Sequence, residues 1–417
     1  MNLIKNNIYV NLITSSKYIM NLMEAKDGVK TVNAYLDNAA TTKPFASVVD
    51  IMNKTMTEDF GNPSSMHLIG VKAENYIKEA KEILAASLKV DTKELYFTSG
   101  GTESNNMAII GTVLANRRAG NHIITTKIEH PSVHNPLLFL SEFGFEVTFL
   151  EVDEYGLIRE EDLVEAITEQ TILISMMMVN NEIGSTQDVA SLIKAVRAKK
   201  KEVLIHVDAI QGFGKYRIHP KRIGIDLLSI SGHKIHGPKG VGALFVRDKV
   251  KIRPIVFGGQ QQKGMRSGTE NVPGIAGLGQ AVKEIYVDFD TKIAHLYELK
   301  QLLIDEVVKI PDVTVNGVKE EITETAPHVV SVSIAGIRSE VMLHALEEKG
   351  VFVSSGSACS SNHPALSGTL QAIGVKKELL DCTIRFSLCV YTTKEEIIYA
   401  VETLKEMVPM LRRFTRR

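Results

Sequence analysis

Short apolar runs alternate with polar turns and amphipathic stretches through the middle of the chain. The runs lie at 95–98, 122–125, 172–176, 203–207, 225–228 and 241–246. That alternation predicts parallel βα units and an α/β layer fold with a mainly parallel sheet. Ahead of it, 34–37 reads as a strand-like entry and 48–56 has helical periodicity. The loop 61–65 supplies the cap for a helix over 68–88. The pattern changes after a long helix expected over 288–308. Short strands at 313–315, 329–334, 351–353 and 383–388 alternate there with helices within 338–349 and 364–373, before a final helix over 394–411. This second pattern predicts a smaller α+β domain. The expected division is a large domain over 45–289 and a small one from 34–44 and 290–417, with 1–33 an extension outside both.

The turns after the runs are polar at equivalent places. They carry Gly100-Gly101-Thr102, Glu129-His130, Asn180-Asn181-Glu182, Asp208 with Gln211, and Ser231-Gly232-His233-Lys234. In open parallel sheets, ligands bind beyond the carboxyl ends of the strands. A succession of polar strand ends therefore predicts a site there. Lys234, in the stretch 229–240 between two apolar runs, is placed for chemistry if partly desolvated, since burial lowers its pKa and makes a nucleophilic amine or base. An exposed loop lysine is the bland alternative. Gly101 and Thr102 at a strand-to-helix turn offer backbone N–H groups to a phosphate. Asp208 at a strand end could hold a heterocyclic nitrogen protonated. An aldehyde cofactor with a phosphate handle and a cationic ring needs this set of groups. A nucleotide P-loop at 237–240 is excluded, because the GxxxxGK[ST] spacing is absent.

Composition narrows the class. The 417 residues favour two domains, and a net charge of −1 gives no reason to expect direct nucleic-acid or membrane-surface binding. The basic tail 412–417 reads as a solvated end. Three cysteines, Cys359, Cys382 and Cys389, cannot build a disulfide framework and suit a reducing compartment. No apolar run approaches the roughly 20 residues of a membrane span, and residues 1–30 lack the core and cleavage site of a signal peptide. A cytoplasmic protein is expected.

Taken together, the motifs resemble the class-V aminotransferase branch of the pyridoxal phosphate fold-type-I enzymes, through 206–211 (His-Val-Asp-Ala-Ile-Gln) and Ser231-Gly232-His233-Lys234. With 98–104, Glu129-His130, 180–184 and 266–269, the chain is similar to the cysteine desulfurases. The loop Ser354-Ser355-Gly356-Ser357-Ala358-Cys359 resembles that of their first group, which serves iron–sulfur cluster and thiolated-tRNA synthesis. The resemblance runs from 34 to the C-terminal helix. It implies pyridoxal 5'-phosphate held by Lys234 as a Schiff base, with Lys234 also shuttling the Cα proton. Asp208 would pair with the ring nitrogen, Gln211 would bond the ring hydroxyl, and His130 would stack on the ring and take part in acid/base steps. Gly101, Thr102, Ser231 and His233 would hold the phosphate, and Thr269 would reach the phosphate of the partner subunit, which implies a homodimer. Asn181 would contact cofactor and substrate, and Arg385 would bind the substrate carboxylate. Cys359 would take sulfur from L-cysteine as a persulfide, releasing alanine, and would serve as a transient iron–sulfur ligand and donor to a sulfur-acceptor protein. The implied alternative is a selenocysteine lyase, or another lyase or aminotransferase of the class. Cys382 and Cys389 read as core thiols in a strand. His67, His134 and His219 read as structural or exposed, and His236 as a weaker phosphate candidate than His233. The segment 362–367, which varies in the family, leaves the acceptor unnamed.

Overall fold

Apolar runs covered on both faces become central strands, and the computed structural model, which describes residues 33–355 and 366–415, bears out that expectation. After a two-residue strand β1 (Ala34–Tyr35) come β2 (Leu95–Thr98), β3 (His122–Thr126), β4 (Glu146–Leu150), β5 (Thr171–Met177), β6 (Leu204–Asp208), β7 (Leu227–Ser231) and β8 (Gly242–Val246). β2 to β8 form a sheet in the order β2-β8-β7-β6-β5-β3-β4. β5, β7 and β8 are buried throughout, as sheets layered by helices require. Pairing is parallel from β4 across to β7. β8, however, runs antiparallel to both β7 and β2. Only residues 232–241 separate β7 from β8, too few for the helical crossover that a parallel return needs.

Two local expectations are corrected, and two further elements carried no clear sequence pattern. The strand expected at 225–228 lies at Leu227–Ser231, so Ser229 and Ser231 are strand residues rather than loop. The Ser229 hydroxyl is satisfied inside the sheet by His206 Nε2 at 3.0 Å, which is how a serine sits in a central strand. The helix Leu68–Leu88 is capped by His67, whose Nδ1 accepts from the Gly70 N–H at 3.3 Å, and not by the 61–65 loop. A helix over Val272–Ile285 escaped the sequence pattern, because Pro273, Gly274, Gly277 and Gly279 weaken intrinsic helicity. The glycines serve packing: a Cβ on Gly279 would lie 2.8 Å from the Ala80 Cα, so backbone meets backbone where this helix crosses Leu68–Leu88. Asn271 Oδ1 accepts from the Gly274 N–H and caps its start. Strand β4 was also missed. It is an edge strand with only its last residue buried, so its apolar signal is faint.

Beyond the helix Phe289–Val307 lie β9 (Val313–Asn316), β10 (Val329–Ile334), β11 (Val351–Phe352), β12 (Ser354–Ser355) and β13 (Thr383–Ser387). The order β12-β13-β10-β9 makes a second sheet, while β11 pairs in parallel with β1. The two sheets carry separate cores. One gathers Phe97, Ile174, Val207 and Ile230, and the other gathers Leu296, Val332, Phe386 and Leu404. Each such fully buried side chain is worth about 1.5–3 kcal/mol in transfer free energy. The last helix runs past 411, over Lys394–Thr415. Cys382 and Cys389 are buried thiols, as expected, but neither is a strand residue. Cys382 closes the helical turn Lys377–Cys382, and Cys389 follows β13. Among the described residues no helix is long and apolar enough to cross a membrane.

Candidate active site

The carboxyl ends of β2, β3, β5, β6 and β7 open on a cavity of about 490 Å³. Among its lining residues are Gly101, Thr102, His130, Asn181, Asp208, Gln211, Ser231, His233, Lys234 and Arg385. The sequence-predicted set is thus brought together, with two exceptions. Thr269 is exposed and does not line this cavity of its own chain. Cys359 lies outside the described residues, though Leu366 and Ser367 just beyond its segment reach the cavity wall.

Lys234 ends a single helical turn, Gly232–Lys234, that follows β7 directly. Its Nζ donates to the carbonyls of Ala39 at 2.5 Å and Ala40 at 2.8 Å. Asp208 ends β6 and is 5% exposed. Its Oδ1 accepts from the Ile210 N–H at 2.9 Å and its Oδ2 from Asn105 Nδ2 at 2.8 Å. Burial pushes the Asp208 carboxyl up from the carboxylate range; the Ile210 N–H, Asn105, His130 and Lys234 act against that rise.

His130 caps the helix Pro131–Glu142. Its Nδ1 accepts from the Ser132 N–H at 3.1 Å and lies 2.8 Å from Ser132 Oγ, which in turn accepts from Asn105 Nδ2. An Nδ1 that accepts a backbone N–H carries no proton, so the neutral ring bears its proton on Nε2. Burial holds His130 below the ordinary histidine range; Asp208 opposes this and Lys234 adds to it. Burial, then Lys234 and Lys239, pushes His233 down to about 4, so it is a neutral ring at neutral pH. The Glu129 carboxyl is pushed up to about 8 by burial, against the Met177 N–H and the Thr126 hydroxyl that donate to its Oε1.

Gly100 has φ 148°, in the region open mainly to glycine, and starts the helical stretch Gly101–Asn106. A Cβ on Gly101 would meet the Ile210 side chain at 2.2 Å, so residue 101 must be small for this end of the cavity to close as it does. Gln211 is fixed at both ends: its Nε2 donates to the Ala39 carbonyl at 3.0 Å, and its Oε1 accepts from His328 Nε2 at 3.1 Å. Arg385, in β13, donates to the Asn181 carbonyl at 2.8 Å and to Asp37 Oδ1 at 2.9 Å.

Several of these contacts were not foreseen. Asn105 ties Asp208 to the His130–Ser132 pair, and its position one helical turn after Gly101 was the available signal. Asp37 follows the first apolar run just as the other polar residues follow theirs. His328 gave no signal at all. His236 is corrected: it is 1% exposed, stacks on Phe45 at 4.6 Å and sits 2.7 Å from the Lys43 carbonyl through Nδ1, so it packs the wall behind the site and does not line the cavity. Among the described residues no cluster of side chains could hold a metal ion.

Known proteins are similar to this chain over nearly its whole length. The family model for aminotransferase class-V matches residues 34–399. "Cysteine desulfurase IscS" of Dictyoglomus turgidum is 44% identical over 379 residues, 91% of this chain and 95% of that protein. "Cysteine desulfurase IscS" of Methanosarcina thermophila is 42% identical over 388 residues, 93% of this chain and 95% of that protein. Among solved structures, a "NifS-like protein" superposes with a TM-score of 0.86 at 34% identity, covering 91% of this chain and all of the other. The match spans both sheets and every strand end that carries the site, and the chain belongs to the class-V aminotransferase family, among its cysteine desulfurases.

Proposed function

We propose that the chain is a pyridoxal 5'-phosphate-dependent L-cysteine desulfurase that releases L-alanine and passes the sulfur on as a persulfide. The observation that carries this is the convergence on one cavity of the Lys234 amine, the buried Asp208 carboxyl and the Arg385 guanidinium, in a chain 44% identical to a protein named for this activity. The lining fits the cofactor. Thr102, Ser231 and His233 gather hydroxyl, imidazole and backbone donors at the glycine end, and the same cavity is lined by a buried carboxyl and an amine that would serve a cationic ring and an aldehyde. When bound, pyridoxal phosphate supplies an aldehyde for the substrate amine and an electron sink for the bonds at Cα.

This chain's own residues divide the remaining work. Gly101, Thr102, Ser231 and His233 would hold the phosphate, with His233 a neutral donor rather than a counter-charge. Asp208 would pair with the ring nitrogen, where an opposite charge would favour the ionised carboxylate that burial alone disfavours. Gln211, held by Ala39 and His328, would offer its amide to the ring hydroxyl, and His130 would stack on the ring. Lys234 Nζ takes the proton from the substrate Cα. Arg385 and Asn181 hold the substrate carboxylate and so fix which face of Cα meets Lys234. Cys359 accepts the substrate sulfur: an S–S bond forms as the Cβ–S bond breaks, and the carbon skeleton leaves as L-alanine.

The persulfide then passes to an acceptor protein of iron–sulfur assembly or tRNA thiolation, in a reducing cytoplasm where the thiol stays available. A transient iron–sulfur contact of Cys359 belongs to the same step. The two cores support a large domain over 45–289 and a small one from 34–44 and 290–417. The relatives' names favour cysteine over selenocysteine as substrate. The test is product analysis of the cofactor-loaded enzyme with L-cysteine and a thiol reductant. Alanine and sulfide in equal amounts are expected, whereas pyruvate and ammonia, or no product, would refute the reading.

The exposed placement of Thr269, outside its own cavity, supports a homodimer in which it serves the partner's phosphate. Light scattering at assay concentration is expected to give the mass of two chains. A fully active single chain would rule the shared site out.

A further inference from the structure

The turn after β1, 37–42, has no role in the chemistry described so far, yet it bonds four residues that have one, Lys234, Gln211, His233 and Arg385. The Ala39 and Ala40 carbonyls take the Lys234 amine, and Ala39 also takes the Gln211 amide. Thr41 Oγ1 lies 3.3 Å from His233 Nδ1, and Thr42 Oγ1 accepts from the His236 N–H at 2.7 Å. At its start, the Asp37 carboxylate accepts from Arg385 Nη2 at 2.9 Å. The Arg385 side chain is only 6% exposed and that of Asp37 is 21% exposed.

A guanidinium has five N–H donors in one plane. Asp37 takes one from Nη2 and the Asn181 carbonyl takes one from Nη1. Two acceptors on different Nη atoms fix both the position and the plane of the group. The buried Nε has no partner among the described residues. The plane is therefore held from the protein side, and the donors that remain are pre-set for a planar acceptor from the cavity.

We infer that Asp37 is a positioning residue: its carboxylate holds the Arg385 guanidinium in the orientation that receives the substrate carboxylate. The inference rests on the reading above that Arg385 binds that carboxylate. Two effects of Asp37 oppose each other. Its charge repels the incoming carboxylate, while its hydrogen bond restrains a long side chain that otherwise loses rotamer entropy on binding. The low exposure of Arg385 and its hold from two sides decide for restraint, since misplacement of about 1 Å at a reacting centre can cost roughly 100-fold. The turn itself does not depend on the carboxylate. Its main chain is held by Ala40 N–H and Thr41 N–H to the Asp37 carbonyl, and by Asn38 and Ala39 to Ser387.

The experiment compares two ligands of the cofactor-loaded enzyme by cofactor absorbance: L-alanine, and L-alaninamide, which has the same amine but no carboxylate. Asp37→Ala is expected to weaken L-alanine roughly tenfold to 100-fold and L-alaninamide less than about threefold. Arg385→Ala should show the same selective loss, and the double variant should be no worse than Arg385→Ala. A structural role alone would lower the melting temperature and leave the ratio of the two constants unchanged. If Arg385→Ala keeps the ratio, the assignment of Arg385 fails. If Arg385→Ala loses it while Asp37→Ala keeps it or binds L-alanine more tightly, the positioning role of Asp37 is overturned. Should Asp37→Ala not fold, Asp37→Asn carries the test, because a neutral amide weakens the charge-assisted bond; an unchanged ratio there overturns the role equally.

Discussion

Cys359→Ala is expected to bind cofactor and L-cysteine and yet lower alanine release by roughly 1,000-fold or more, since loss of a covalent nucleophile removes the pathway itself. The size follows from how the work is divided. Lys234 can take the Cα proton without any thiol, but breaking the Cβ–S bond needs a group that accepts sulfur. The other two thiols cannot stand in. Cys382 is 9% exposed and Cys389 is 7% exposed, and burial raises the pKa of both, which lowers the thiolate fraction that does the chemistry. Neither lines the cavity. Cys382→Ala and Cys389→Ala should therefore keep turnover and lose only packing. Alanine release by the three variants, at one concentration of cysteine and reductant, is the check; turnover near wild type in Cys359→Ala would end the nucleophile assignment.

Lys234→Ala is expected to lose as much, for a different reason. The wild-type protein should retain the cofactor covalently at Lys234 after borohydride treatment, and the variant should release it on denaturation. Turnover should fall to background. Lys215, a neighbouring buried lysine pushed down to about 8 by burial, is no substitute: its Nζ donates to the Lys234 carbonyl at 3.0 Å and it does not line the cavity. The stability cost should be small, because the Ala39 and Ala40 carbonyls lose one donor and each such bond is worth about 1 kcal/mol net. A Lys234→Ala protein that still traps cofactor under borohydride would refute the assignment.

Much of this site was legible in the sequence because parallel sheets put their ligands in one place. Once the strands were placed, His130, Asn181, Asp208 and Lys234 followed as their polar ends. The unforeseen parts share a physical character. Asn105, Ser132 and His328 act by hydrogen bonding to a site residue from a position that carries no pattern of its own. The helix Val272–Ile285 was hidden because local propensity and tertiary need disagree there, its glycines being required by the approach of Ala80. Ser229 of β7 reads as loop in the sequence because a polar side chain in a strand resembles a turn; its buried partner, His206, accounts for it.

Sulfur on Cys359 is the central claim, and one measurement addresses it directly. The cofactor-loaded enzyme is given L-cysteine without reductant, quenched, digested and weighed peptide by peptide. The peptide containing Cys359 should gain the mass of one sulfur atom, in step with the alanine formed, and Lys234→Ala should show neither. Alanine formed while the added sulfur sits on Cys382 or Cys389, or on no cysteine of the chain, would contradict it.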